Sequence, residues 1–343
     1  MSRYLVTGGA GFIGSHLTEA LLRAGHQVRV LDDLSAAPRP SDPAIEFLEG
    51  DVADTALVRR AVEDCAGVFH LAAITAEPRC REDWSRSHRV NQGGTVAVLD
   101  AARAAGGVPV CYASSAAIYG EQGPRAIQEA ARPRPQGHLG ADKLGAEHQA
   151  ALAFAQHGVP NLGLRIFHAY GARTEGQRRD VVAIFAERIL AGQVITLHGD
   201  GQQVRDLVHV SDVVRHLFAG MQLLQLQPQA LVLNLCTGRA TTIRALADLM
   251  GVVAARVPLV QFGPRRPQEL RAALGDPNEA IHVLGVEAAM ELESGLRCLF
   301  PAPPPTALDW ARRAPSVPGG IAARRSCPAA PTMPGGRAVH QPL

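Results

Sequence analysis

Apolar residues in this chain come in short runs, separated by stretches with helical spacing. Residues 3–6 predict a buried strand, 15–24 an amphipathic helix closed by Gly25, and 27–31 a second strand. Residues 45–48 predict a third strand, 57–65 a helix, 67–71 a fourth strand, 94–105 a helix and 108–113 a fifth strand. Such alternation demands an α/β architecture: a doubly wound parallel sheet covered by helices on both faces. Beyond residue 114 the pattern loosens. Residues 123–137, rich in Pro, Arg and Gln, read as a loop. A helix follows from about 140 to 157 and a strand from 163 to 167, then mixed short elements run to about 300. No internal repeat at solenoid period is present.

Residues 301–343 change character. They hold ten of the 24 prolines, five arginines and one carboxylate, Asp309. Too little apolar surface is available there to offset ordering, so a mostly disordered tail is expected, with at most a short helix near 308–313. Elsewhere composition mainly excludes. Hydrophobic residues at 47% are ample for a large core. A net charge of +2 and 4% aromatic residues argue against a nucleic-acid partner. The six cysteines form no Cys-x-x-Cys pair, and the histidines show no metal-ligand spacing, so no metal is expected. No apolar run reaches the ~18–20 residues that span a bilayer. The first strand begins almost at Met1 with no leader pattern before it, so a soluble cytoplasmic protein is expected.

The densest chemistry lies at the start. Thr7-Gly8-Gly9-Ala10-Gly11-Phe12-Ile13-Gly14 joins the first strand to the first helix, and Gly8, Gly11 and Gly14 have G-x-x-G-x-x-G spacing. A pyrophosphate needs a tight turn, a backbone it can approach closely and the free N–H groups of a helix start. Asp32 ends the second strand, where a carboxylate accepts from an adenosine ribose and repels a 2′-phosphate. NAD is therefore expected over NADP. Asp51-Val52, after the third strand, is placed to accept from the adenine amino group.

Further blocks extend the pattern: His70-Leu71-Ala72-Ala73, Val90-Asn91-Gln92-Gly93-Gly94-Thr95 and Ser114-Ser115-Ala116-Ala117-Ile118-Tyr119-Gly120. Leu164-Arg165-Ile166-Phe167, Arg205-Asp206-Leu207-Val208-His209 and Arg266-Pro267-Gln268-Glu269 follow. With these blocks the chain resembles, from about 5 to 297, the extended short-chain dehydrogenase/reductases of the NAD-dependent epimerase/dehydratase family, UDP-glucose 4-epimerases in particular. The resemblance implies a Rossmann domain over 1–166 with a returning segment near 206–236. It also implies a smaller, interleaved C-terminal substrate region over 167–300.

The resemblance further implies a bound NAD held by Gly8, Gly11, Phe12, Ile13, Gly14, Asp32, Asp51, Val52, Ala72, Asn91 and Lys143. It implies a UDP-sugar substrate, contacted by Ser115, His168, Arg205, Arg266, Glu269 and Ala273. Arginine forks suit a diphosphate, and Glu269 a ribose hydroxyl. Ser115 and Lys143 take the catalytic positions. A homodimer pairing the helices near 94–105 and 140–157 is expected too. Ala116-Ala117 stand where related dehydratases carry an acid and a base, which disfavours dehydration.

One departure stands out. The tyrosine expected four residues before Lys143 is Leu139, in Gln136-Gly137-His138-Leu139. The expected activity is reversible 4-epimerisation of a UDP-hexose, UDP-glucose and UDP-galactose first. Three alternatives stay open: another UDP-sugar epimerisation, His138 acting as the base, or a catalytically impaired protein that still binds NAD and nucleotide sugar.

Overall fold

The computed structural model describes residues 1–300 except 174–176, 178–179 and 267–268. The expected tail, with its short helix, lies outside the described residues. The first part of the chain alternates strand and helix: β1 (Arg3–Thr7), α1 (Phe12–Arg23), β2 (Gln27–Asp32), β3 (Ile45–Glu49), α2 (Thr55–Val62) and β4 (Gly67–His70). Next come α3 (Glu77–Glu82), α4 (Trp84–His88), a π-helical turn (Arg89–Gly93) and α5 (Gly94–Ala104). β5 (Val110–Ser115), α6 (His138–His157) and β6 (Asn161–Ile166) complete this half. The rest holds β7 (His168–Tyr170), α7 (Val181–Leu190), β8 (Ile195–His198), β9 (Val204–His209), α8 (Val210–Leu226) and β10 (Ala230–Leu235). It ends with β11 (Ala240–Thr242), α9 (Ile243–Val253), β12 (Val260–Gly263), β13 (Ala272–Ala273), α10 (Asn278–Leu284) and α11 (Leu292–Arg297).

Seven strands form one parallel sheet in the order β10-β6-β5-β4-β1-β2-β3. The order reverses between β1 and β4, so helices cover both faces and a crevice opens at the strands' carboxyl ends. Leu17 and Leu21 of α1 and Leu217, Met221 and Leu224 of α8 fill one face. Val58 and Ala61 of α2, Val98 and Ala102 of α5 and Ala150 of α6 fill the other. Each such Val or Leu contributes about 1.5–3 kcal/mol by leaving water. This is the doubly wound Rossmann sheet that the alternation predicts. α8 and β10 return to it after the chain has left.

Outside this sheet, β9 pairs with β7 and β13 in parallel and with β11 antiparallel, while β8 pairs with β12. A third apolar cluster lies here, with Val182, Phe185 and Ile189 of α7, Leu246 and Met250 of α9 and Leu296 of α11.

Several boundaries differ from the periodicity. α1 starts at Phe12 instead of 15, because Gly11, extended at φ −67° and ψ 175°, already forms its N-cap. α2 stops at Val62 instead of 65, and Asp64 beyond it takes φ 59°. β5 runs to Ser115 instead of 113, since every residue from Val110 to Ser115 pairs with β6. α6 starts at His138 instead of 140. Its cap comes from another element, described below.

Candidate active site

The carboxyl ends of β1, β2, β4 and β5 build the site. Gly8 turns the chain at φ 70°, and a Cβ there would lie 2.7 Å from the Ala72 amide nitrogen. A Cβ on Gly14 would lie 2.1 Å from the Gly8 carbonyl oxygen. The turn is thus pressed between α1 and the segment after β4, with no room for side chains. α1 has no acidic residue in its first turn and no side-chain cap at Gly11. Its positive end is therefore open to an anion, next to Phe12 and Ile13. The Asp32 carboxylate accepts from the amides of Ala10 (3.0 Å) and Leu34 (2.9 Å), which fixes it beside the turn. Burial raises the Asp32 carboxyl above its ordinary value, and these backbone N–H groups oppose that rise. Asp51 accepts from the Ala53 amide at 2.9 Å, and Val52 is buried against Gly94. These residues fit a dinucleotide: a cradle that any Cβ would fill, an uncapped helix start, and a carboxylate after β2.

Behind the turn runs a directional chain of hydrogen bonds. The Thr95 hydroxyl donates to the Asn91 carbonyl (2.8 Å), so it must accept from His70 Nε2–H (3.0 Å). His70 Nδ1 then accepts from the Thr7 hydroxyl (2.7 Å), which accepts from the Ala72 amide (3.3 Å). Burial, helped by the Lys143 charge, pushes the His70 imidazole down to about 3, which keeps it neutral as this chain requires. Asn91 lies in the π-helical turn, one turn before Thr95. The Asn91 side chain is fully buried and holds the main chain of Ile74 with both amide atoms (2.7 and 3.0 Å). Asn91 thus fixes the segment carrying Ala72 and is itself shut away from solvent.

Lys143 is buried, and its Nζ donates to the Ala113 carbonyl at 2.7 Å. Lys143 is thereby tied to β5 two residues before Ser115, the last residue of that strand. Burial pushes the ammonium down to about 8, against the raising effect of Asp142 and Glu147. The Ser115 hydroxyl accepts from the Ala117 amide at 3.1 Å and is half-exposed. Leu139 lies about 40° round the helix from Lys143, whereas His138 lies about 140° away. The His138 ring instead stacks with Trp84 of α4, centroids 5.9 Å apart. None of the four tyrosines replaces the missing phenol. Tyr4, Tyr112, Tyr119 and Tyr170 are all buried in the core. Tyr119, four residues after Ser115, is bonded to Asn234 and Arg165.

Two polar anchors hold α6 that the linear motifs do not show. Asp142 accepts from Ser87 (2.8 Å) and contacts His88 (3.1 Å), locking α6 to α4. Glu147 forms a two-pronged pair with Arg165 (3.0 and 2.8 Å) and accepts from Ser114, locking α6 to β5 and β6.

Around β9, Arg205 and Glu269 face each other at 3.5 Å. Burial lowers the Arg205 guanidinium, and Glu269 and Glu121 oppose that. Ala273 pairs with Arg205 across β9–β13, and His168 opens β7 opposite Leu207. Arg266 is exposed. A cleft of about 240 Å³ opens here, lined by His198, Asp200, Gln203, Arg265, Glu269 and Arg271, among others. Sequence reasoning found Glu269 but missed Arg265 and Arg271; the tandem Arg265-Arg266 was the available clue. Glu121, in the loop after Ser115, accepts from the Arg271 amide at 2.7 Å and so ties this cleft to the β5 side.

Residues 4–236 match the model of the NAD dependent epimerase/dehydratase family. The chain belongs to that family. NAD is its cofactor, and its relatives are epimerases, which are isomerases. It is 33% identical over 304 residues to a UDP-glucose 4-epimerase of Mycolicibacterium smegmatis, covering 86% of this chain and 96% of the relative. Among solved structures it resembles the UDP-glucose 4-epimerase of Thermotoga maritima with UDP-glucose. There the TM-score is 0.82 and identity 31%, over 87% of this chain and 97% of that one. The Thermus thermophilus UDP-glucose 4-epimerase complex with NAD gives a TM-score of 0.78 and 34% identity, with the same coverages. The family model spans epimerases and dehydratases, and a UDP-glucuronic acid decarboxylase of Danio rerio is also among the relatives at 28% identity, so membership does not choose the substrate. Among the described residues no helix is long and apolar enough to cross a membrane, and no cluster suits a metal ion.

Proposed function

We propose that this protein interconverts the C4 epimers of a UDP-hexose, UDP-glucose and UDP-galactose first, through a transient 4-keto sugar. Such a reaction serves galactose metabolism or the supply of exopolysaccharide precursors. The observation that supports the reading is the buried Lys143 tied to the Ala113 carbonyl near the end of β5, two residues before Ser115, in the sheet whose first strand leads into the glycine turn. Bound NAD supplies the hydride acceptor and returns the same hydride. Around it, Gly8, Gly11, Phe12, Ile13 and Gly14 receive the pyrophosphate, Asp32 the adenosine ribose, and Asp51, Val52 and Ala72 the adenine side. Lys143 holds the nicotinamide ribose, and Ser115 donates to the reacting sugar oxygen. Arg205 and Arg266 hold the diphosphate, Glu269 a ribose hydroxyl, and His168 a phosphate or sugar oxygen. Ala116 and Ala117 offer no acid–base pair for eliminating water, which favours epimerisation over dehydration.

Ala273 favours a second reading, in which N-acetylhexosamines are also accepted, because a methyl side chain leaves room for a 2-substituent. Two copies of the chain are proposed to pair through α5 and α6. Between these helices a groove edged by Asp100, Arg103 and Gln149 leaves Val96 and Leu152 40% and 47% exposed. The test incubates purified protein with NAD and UDP-galactose and follows UDP-glucose by NMR, beside Leu139→Tyr. Conversion is expected. If neither chain converts any UDP-hexose while both bind NAD, the protein is a nucleotide-sugar binder and the proposal fails.

A further inference from the structure

We propose that Glu77 performs the proton transfer that the resemblance assigns to a tyrosine at position 139; this rests on the epimerase reading. Glu77 opens α3, on the carboxyl side of β4. Its Oε1 accepts from the His138 amide at 2.9 Å and its Oε2 from the Leu139 amide at 3.4 Å. The carboxylate therefore rests on the main chain of the residue that lacks the phenol, one helical turn before Lys143. Gly137 makes room for it: a Cβ there would lie 2.3 Å from Oε1. Gly137 offers α6 no side-chain cap, and Glu77 supplies that cap from another element. Gly140 presses against the Ala117 carbonyl, where a Cβ would lie 2.5 Å away. The first turn of α6 is thus wedged between Glu77 and the Ala116–Ile118 turn that follows Ser115.

Neighbouring ionisable groups are committed elsewhere. Asp142 is bonded to Ser87 and His88, and Glu147 to Arg165 and Ser114. His70 is locked inside its hydrogen-bond chain, and His138 stacks on Trp84. Glu77 is half-exposed, and each of its oxygens keeps a lone pair after accepting one backbone N–H. In the forward step the sugar C4 O–H bond breaks and its proton passes to a Glu77 oxygen, as the C4 hydride leaves for the bound cofactor. In the return step the Glu77 carboxylic acid gives that proton back as the hydride rejoins C4 from the other face. No net oxidation results.

A double-mutant cycle separates this role from the capping role. In the native chain Glu77→Gln is expected to lower kcat by roughly 100-fold or more, with KM little changed. In a Leu139→Tyr background, where a phenol is available, the same change is expected to cost less than about fivefold. Equal losses in both backgrounds overturn the proposal, because a cap acts alike in each. Melting temperature and NAD affinity of each variant report the cap alone; Gln keeps a carbonyl acceptor, so both are expected to stay near wild type. Infrared difference spectra after adding UDP-glucose are expected to show a protonated carboxyl band that Glu77→Gln removes. Its persistence in that variant overturns the proposal. A native chain that is silent while Leu139→Tyr turns over also overturns it, yet leaves the UDP-sugar reading standing. Silence of both, with NAD bound, fells both.

Discussion

Replacing the glycines of the opening turn one at a time separates folding from cofactor binding. In Gly14→Ala the added Cβ meets the Gly8 carbonyl oxygen at 2.1 Å, the Gly9 Cα at 2.7 Å and the Gly8 carbonyl carbon at 2.9 Å. All three are backbone, so no side chain can swing aside. Overpacking against movable side chains costs about 1–3 kcal/mol, and backbone contacts place this change at or above the upper end. At about 2–4 °C per kcal/mol for a large domain, Gly14→Ala is expected to melt roughly 6–12 °C lower. Gly11→Ala differs. Its Cβ approaches only the Gly8 oxygen, at 3.1 Å, and alanine is a poorer N-cap than glycine by about 0.5–1 kcal/mol. A drop of about 1–4 °C is expected. NAD affinity, however, should fall roughly tenfold or more, because the added methyl stands at the helix start that must admit a phosphate. Differential scanning fluorimetry and calorimetric titration with NAD read the two effects. A Gly14→Ala protein that melts and binds like wild type refutes the geometry. So does a Gly11→Ala protein with unchanged NAD affinity.

His70 gives a pH signature. Its folded value of about 3 lies below the ordinary 6.5, so as pH falls through that window the unfolded chain takes a proton that the folded chain refuses. Stability is therefore lost on acidification by up to about 1.4 kcal/mol per pH unit, and His70→Gln is expected to flatten that slope in urea denaturation. Breaking the buried Arg165–Glu147 pair from one side, with Arg165→Met, should cost about 3–5 kcal/mol, while the double change to Met and Leu recovers much of it; thermal melts compare them. Asp32→Ser should weaken NAD and narrow its advantage over NADP, since a negative charge that repels a 2′-phosphate is removed; parallel titrations measure the ratio.

The parts of this molecule legible in the sequence are those made by local spacing. The glycine turn and Asp32 sit on one strand–helix–strand run, and Lys143 sits one turn beyond position 139. Short apolar runs were enough to reveal the sheet. What was not legible depends on distant segments meeting. Glu77 reaches α6 across 61 residues, Ser87 reaches Asp142 across 55, and Arg271 reaches Glu121 across 150. α3 and α4 have six and five residues and mostly exposed faces, so they leave no readable period. The sheet around β9 is built from partner strands of two or three residues, too short for alternation to register. The loss of tyrosine at 139 was plain in the sequence; the carboxylate beside it was not.

At the carboxyl ends of β1, β2 and β4 the glycine turn, Asp32 and Ala72 form one cradle suited to a dinucleotide. Calorimetric titration of the purified chain with NAD tests it most directly. Saturable binding of one NAD per chain, weakened in Gly11→Ala, is the predicted result. No saturable binding to a folded protein, or binding that Gly11→Ala leaves untouched, contradicts it.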